Sequence, residues 1–375
     1  MNISSNQDNY FYLGFNRKYI NPWTDQILKI FQQTRNITKC GPGFKKDIQF
    51  FLSNMNKCDC LVVDSLILES EKFLNSRRPF GSSSYDGDMK GFKSDLLQMR
   101  KIFEGFKKKI IFIANLDYYS ASKDLTKYIS ENNIYVISMS DFNTTFKHDE
   151  ANKSEMKINY AKSTNNWFNL VNERKDLIIS CPHFIDSNEF STRKLSDKNF
   201  YFDIPGVMYE DRANAKKYLN LTGRLRHSYY EIKRNLIFLV NRLQGKLSLD
   251  RINKLNRQFL NRIRNTKFVY TCGSMMKFPV RKFFEIPSQS SVLVCDKFYG
   301  MNHLGFKESD NFISIEQFQK NSPMKNYQMI SESGYKLIKF YHSSDARLEQ
   351  LSKCFNLIEN QKFLGSYWLE SKYVS

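Results

Sequence analysis

Phe268-Val269-Tyr270-Thr271-Cys272-Gly273-Ser274 decides the reading of this chain, together with the two segments after it. These are Phe278-Pro279-Val280-Arg281-Lys282-Phe283-Phe284-Glu285-Ile286-Pro287 and Ser291-Val292-Leu293-Val294-Cys295-Asp296. The first is a β-branched and aromatic run that ends in small residues, which reads as a buried strand feeding a loop. The second reads as a short helix starting at Phe278 or Pro279, since proline suits the first helical position, and Pro287 stops it soon after its single acid. The third is another buried strand. Tyr341-His342-Ser343-Ser344-Asp345-Ala346-Arg347 closes the region as a helical end. Strand, small-residue turn, helix and strand in this order make one unit of a parallel α/β sheet.

The same rhythm extends outward in both directions. Tyr10–Leu13, Cys60–Val63, Lys109–Ala114, Ile134–Ile137, Leu177–Ile179 and Asn199–Ile204 read as strands. Trp23–Phe31, Phe44–Leu52, Phe92–Phe106 and Leu249–Ile263 carry apolar residues at helical spacing. Leu236-Ile237-Phe238-Leu239-Val240 fits a strand or a helix, because a short apolar run has no diagnostic period. Asn75–Gly91 is rich in Gly, Ser and Asp and reads as a loop. The stretch 186–198 is polar and marks a domain boundary. A chain of 375 residues suits two domains.

With 57 Lys and Arg against 38 Asp and Glu, the formal net charge is +19. A field of that sign draws nucleotide phosphates, acidic glycans, nucleic acid or an anionic membrane leaflet. The basic residues are spread along the chain, and no zinc-finger, RNP or basic-zipper pattern appears, so nucleic acid is not the expected partner. Seven cysteines, several inside apolar runs (Cys60, Cys181, Cys295), read as buried free thiols of a reducing compartment. Met1-Asn2-Ile3-Ser4-Ser5-Asn6 has no apolar signal region, and no run approaches the ~20 apolar residues of a membrane span. The expected location is cytoplasmic, with peripheral contact to the inner membrane face as the membrane option. The Gly-x-Ser-x-Gly elbow and the Walker phosphate loop are both missing, which argues against an ordinary hydrolase or ATPase.

The segment from Phe268 to Arg347, with its acid two residues before Pro287 and its closing His342 and Arg347, resembles the donor half of GT-B glycosyltransferases of the CgeB/YkvP-like group. The resemblance is best over about residues 200–350. It implies an α/β fold of two Rossmann-like domains facing a cleft, with a C-terminal helix returning to the N-terminal domain. On that plan residues 1–190 bind the acceptor, residues 191–350 bind the nucleotide-sugar, and residues 351–375 form the crossover helix. The implied activity is transfer of a sugar from a nucleotide-sugar donor to a glycan or glycolipid acceptor, in surface polysaccharide or lipopolysaccharide synthesis, with no metal or other cofactor. The rival reading is a non-catalytic basic protein that binds nucleic acid or an acidic polymer.

Ligands of open α/β sheets bind beyond the carboxyl ends of the strands, where the Thr271–Ser274 turn sits. The expected donor-binding residues are Gly206, Arg212, Gly273, Ser274, Lys277, Arg281 and Glu285. Gly206, in Asp203-Ile204-Pro205-Gly206, permits close backbone approach, and Arg212 brings charge. The start of the helix and the cations Lys277 and Arg281 suit a diphosphate. By the resemblance Glu285 takes the donor ribose, although an i,i+4 pair with Arg281 on a solvated face is the plain alternative. Retaining members of the family carry a second acid where this chain has Lys277. His342 and Arg347 read as structural ties of the tail to the first domain. A general base must take the proton of the acceptor hydroxyl, and the catalytic candidates are Asp117 and His183, each after a strand. Asp86 and Asp88 have the spacing of a metal pair but lie in a loop, and no metal ligand is assigned to them.

Overall fold

The computed structural model describes residues 9–19, 23–68, 83–85, 89–107, 110–114, 121–140, 165–206, 210–243, 249–273, 278–297, 299–320 and 326–375. Contacts divide the chain into two compact units. One is Met1–Cys181 with Gln350–Tyr367 and Ser375, and the other is Pro182–Glu349 with Trp368–Val374.

The first unit is built on a six-stranded sheet. Its strands are β1 (Tyr10–Leu13), β2 (Thr38–Cys40), β3 (Cys60–Asp64), β4 (Ile110–Ala114), β5 (Tyr135–Ser138) and β6 (Ile178–Ser180). The order is β2-β1-β3-β4-β5-β6 and every pairing is parallel. Parallel sheets are covered on both faces, which is why β1 and β3 are buried along their whole length. Helices α1 (Trp23–Arg35), α2 (Ile48–Asn54), α3 (Met89–Gly105) and α4 (Lys123–Glu131) belong to this unit. The apolar stripe of α1 buries Trp23, Ile27, Leu28, Ile30 and Phe31. Ser122 caps α4 by accepting the Leu125 amide at 3.2 Å.

The second unit holds a four-stranded parallel sheet in the order β10-β9-β8-β7. The strands are β7 (Phe200–Asp203), β8 (Thr266–Thr271), β9 (Val292–Cys295) and β10 (Ile313–Ser314). Alternate residues of β8 and β9 enter different cores. Val269, Leu293 and Cys295 pack with Phe283, Phe284 and Ile338, whereas Phe268, Val292 and Val294 pack with Phe202 and Ile330. The helices are α5 (Glu210–Ala215), α6 (Leu221–Leu243), α7 (Leu249–Arg264), α8 (Lys282–Ser288), α9 (Ile315–Gln319), α10 (Tyr327–Tyr341) and α11 (Ser344–Glu359).

Helix α11 starts in the second unit, and from Gln350 onward it belongs to the first. There Phe355 stacks on Phe31 with centroids 4.6 Å apart, and Glu359 accepts from the Tyr10 hydroxyl at 2.6 Å and from Arg35 Nε at 2.7 Å. A returning helix was expected, but the tail differs in detail: the helix ends at Glu359, and Trp368–Val374 goes back to the second unit. His342 and Arg347 hold that tail within the second unit, and not to the first as the sequence reading has it, because their partners Leu304 and Trp368 belong to the second unit. Arg347 donates to His342 Nδ1 at 2.7 Å and lies over the Trp368 ring at 4.3 Å, and His342 Nε2 meets the Leu304 carbonyl at 2.9 Å. An imidazole that accepts at Nδ1 and donates at Nε2 is neutral. Burial, then Arg347, holds its pKa well below the ordinary value.

One open reading is settled and two expectations change. Leu236–Val240 is helical, inside α6. The short helix starts at Lys282, not at Phe278 or Pro279. Phe278 is instead buried, and its amide bonds to the Gly273 carbonyl at 2.9 Å, so Phe278-Pro279-Val280 spans the strand end before the helix can begin. The chain divides after Cys181, earlier than the 190 read from the sequence, because Phe184 and Ile185 pack into the second unit. All seven cysteines are buried and free.

Candidate functional site

The carboxyl ends of β7 and β8 gather the charge of the second unit. Gly206 follows β7 at φ +108°, in the region where an L side chain is strained. A Cβ there would lie 2.6 Å from Lys282 Nζ and 3.0 Å from an Arg212 guanidinium nitrogen. Both cations therefore converge on the bare Cα of Gly206. Arg212, carried by α5, is only 1% exposed and donates to Thr271 Oγ1 at 2.9 Å. Lys282 opens α8 and keeps partial access to solvent. Burial, then the charge of Arg212, pushes its pKa down to about 7, with Glu285 and Cys272 acting the other way and Arg234 adding to the fall. Two cations held against each other at a strand end are stabilised by an incoming anion, since it relieves their repulsion and replaces lost hydration.

A rigid frame holds this cluster. Asp203, the last residue of β7, is 1% exposed and takes both Arg262 Nε at 2.5 Å and a second Arg262 nitrogen at 2.6 Å. It also takes Arg226 at 2.6 Å and the Ile204 amide at 2.8 Å. Arg262 lies 3.2 Å from His227 Nδ1 and over the Tyr230 ring at 4.8 Å. Burial, then Arg262, lowers the His227 pKa, so its ring is neutral and accepts. The inward side of α6 is thus polar, and its Arg226, His227 and Tyr230 fasten the end of β7 to α7.

Glu285 sits between two roles. It accepts from Arg281 Nε at 2.8 Å, the i,i+4 pair, and it is close enough to Lys282 to raise that amine's pKa. Arg281 is fully engaged: besides Glu285 it donates to the Phe184 carbonyl at 3.0 Å and to Glu189 at 2.8 Å. Its guanidinium is a clamp for the start of α8, which differs from the phosphate ligand expected of it. Gly273 is buried at the end of β8. Ser274, Lys277, Asp117, Asp86 and Asp88 lie outside the described residues.

His183 belongs to the second unit, not to the acceptor unit in which the sequence reading put it. It packs edge-on to Phe284 at 6.1 Å. Burial, then Arg281, lowers its pKa to about 3. A base this weak has little driving force to take a proton at neutral pH. In the first unit, Asp64 ends β3 and is 1% exposed, with the Tyr12 hydroxyl donating to it at 3.4 Å.

Gly206 and Arg212 are therefore brought together as expected, with Glu285 at the edge of the same cluster. Lys282 was missed. It stands three residues before Glu285 and so on a neighbouring part of the same helix surface, but the pairing of Arg281 with Glu285 gives the sequence no sign of it. A groove of about 810 Å³ lies instead at the amino ends of the strands, near Arg193, Ser290, Lys336 and Lys339. A pocket of about 180 Å³ shares the carboxyl edge with the cluster, lined by Asp211, Asn214, Tyr270, Asp296 and Gln319. Its Tyr270 hydroxyl donates to Asp296 at 2.7 Å. Carboxyl ends are where open α/β sheets take ligands, so the small pocket and the cation cluster outrank the larger groove.

No protein-family model matches the chain, and no curated protein matches it. Solved structures do resemble it. Anabaena HepE in complex with UDP-glucose has a TM-score of 0.48 at 9% identity, covering 92% of this chain and 99% of that one. A glycosyltransferase from Rickettsia africae has a TM-score of 0.47 at 10% identity, covering 94% of this chain and 99% of that one. Sucrose-phosphate synthase from Thermosynechococcus elongatus has a TM-score of 0.48 at 7% identity, covering 94% of this chain and 100% of that one. At these scores the likeness assigns neither a family nor a reaction.

Proposed function

We propose that this chain is a GT-B glycosyltransferase that moves a sugar from a nucleotide-sugar donor to a glycan or glycolipid acceptor. The observation that carries the reading is the convergence of Lys282 and Arg212 on Gly206 at the carboxyl ends of β7 and β8. The two cations would grip the donor diphosphate. As the bond from the anomeric carbon to the phosphate oxygen breaks, its electron pair stays on the diphosphate, where Lys282 and Arg212 neutralise the growing charge. That is the task a divalent metal performs elsewhere, so the reaction would need none.

Glu285 would accept hydrogen bonds from the ribose hydroxyls, as the sequence resemblance implies. The polar pocket of Asp211, Asn214 and Asp296 lies at the same strand ends and suits the nucleobase. The acceptor would bind the first unit, with Asp117 taking the proton of its hydroxyl. A buried neutral His183 is better suited to supporting Arg281 and α8 than to that role. Surface polysaccharide or lipopolysaccharide synthesis on the cytoplasmic face of a membrane, with peripheral contact to anionic lipid, suits the net charge of +19.

The test is release of nucleotide. The full chain is incubated with a panel of UDP-, GDP-, ADP- and CMP-sugars, with EDTA and then with Mg²⁺, and the free nucleotide is quantified. Turnover of one donor in EDTA, reduced at least tenfold in Lys282→Met, supports the reading. No turnover of any donor, together with salt-sensitive binding to RNA or polyanion, favours the polymer-binding alternative.

A further inference from the structure

Helix α6 is turned inside out. Its inward side carries Arg226, His227 and Tyr230, engaged with Asp203 and Arg262. Its outward side carries Leu221, Leu225, Tyr229, Ile232, Leu236 and Leu239, each between 51% and 74% exposed. At 3.6 residues per turn these six fall within an arc of about 80°, one continuous apolar stripe along the helix. Single exposed apolar residues are ordinary, but a stripe six residues long marks an interaction surface. An amphipathic helix normally buries its apolar side, and here that side is left to solvent.

The charges beside the stripe choose its occupant. Arg224 is exposed on one flank, and Lys233 stands on the other with its amine 5.8 Å from the Tyr229 ring. Glu231 is the only acid in the sequence of α6, and it is taken by Arg234 at 2.8 Å. A second copy of the same helix would set basic flank against basic flank, the reverse of the opposite-charge pairing that holds helix dimers together. An apolar stripe between cations fits the boundary of an anionic bilayer, where the apolar side enters the acyl region and the cations meet the headgroups. Among the described residues no helix is long and apolar enough to cross a membrane, so the mode is lying on the surface.

We infer that the outward face of α6 docks this protein on an anionic lipid surface, with Leu225, Tyr229, Ile232 and Leu236 inserted and Arg224 and Lys233 on the headgroups. The inference rests on the membrane part of the proposed function and does not depend on which donor is used. It places the membrane contact on the same helix whose inner side holds Asp203 and Arg262 beside the cation cluster. Docking would therefore put a glycolipid acceptor close to the unit that binds the donor.

The experiment is flotation of the full chain with vesicles of phosphatidylcholine, with and without phosphatidylglycerol. Ile232→Glu/Leu236→Glu and Arg224→Glu/Lys233→Glu are compared with wild type, and circular dichroism and nucleotide titration of the same samples confirm the fold. Wild type is expected to float only with anionic vesicles, and each double variant to partition roughly tenfold more weakly or worse. If wild type ignores both vesicles, the inference and the membrane part of the reading fall together. If wild type floats and both variants float equally well, only the assignment to α6 falls. A dimer in sedimentation equilibrium that Ile232→Glu/Leu236→Glu dissociates would give the face to a second copy and overturn the lipid assignment.

Discussion

Replacing Lys282 with methionine should stabilise the empty protein while weakening its grip on nucleotide. The folded-state pKa of Lys282 is about 7, against 10.5 for an ordinary lysine. At 1.36 kcal/mol per pH unit the gap corresponds to at most ~5 kcal/mol of cost in holding the charged amine folded. Solvent reaching the side chain and local relaxation reduce this to about 1–3 kcal/mol. The sign follows from proton counting. Below pH 7 folded and unfolded chains both hold the proton, and the full cost stands. Between about 7 and 10.5 only the unfolded chain holds it, so native stability climbs with pH. Methionine removes the cost and keeps the stem. The variant should therefore melt about 2–10 °C above wild type at pH 6, and the gain should shrink toward pH 10. Lys198 is also depressed to about 7 and contributes the same slope to both proteins, so it cancels in the comparison. Thermal unfolding of both proteins at half-unit pH steps is the assay. A variant that is less stable at pH 6, or a gain that does not change with pH, would refute the reasoning. Stability gained on removing a residue whose loss impairs ligand binding identifies a group kept for function.

Three further outcomes follow from the frame around the cluster. Asp203→Ala leaves Arg226 and Arg262 without their shared carboxylate and should cost about 3–5 kcal/mol in chemical denaturation, as for a broken buried pair. Gly206→Ala should abolish saturable nucleotide binding in calorimetry, because φ is +108° and the new methyl group would press on Lys282 and Arg212. Glu285→Ala should weaken donor binding about tenfold or more. It should cost only ~1–2 kcal/mol in denaturation, since Arg281 keeps Glu189 and the Phe184 carbonyl.

Much of the fold is legible in the chain because parallel strands buried on both faces leave continuous apolar runs, as in Cys60–Asp64 and Val292–Cys295. The nearness of Gly206 and Arg212 was also legible, since both follow the same strand within one strand–loop–helix segment. Other features depend on tertiary context. Leu236–Val240 leaves strand and helix open because a short apolar run reads as core either way, yet in α6 the buried side is polar and Leu236 and Leu239 face outward. Pro279 suggests a helix start, but burial of Phe278 postpones it to Lys282, whose amine lies beside Gly206. His183 follows the last strand of the first sheet by only a few residues. Nothing local shows that the chain has already entered the second unit there.

The central claim is that Lys282 and Arg212 at Gly206 bind the diphosphate of a nucleotide. Calorimetric titration of wild type and Lys282→Met at pH 6.5, in EDTA, with each nucleoside diphosphate and the matching monophosphate tests it most directly. The account predicts that one diphosphate binds saturably and at least tenfold more tightly than its monophosphate, and that Lys282→Met removes most of that difference. Equal binding of diphosphate and monophosphate, or a difference untouched by Lys282→Met, would contradict it.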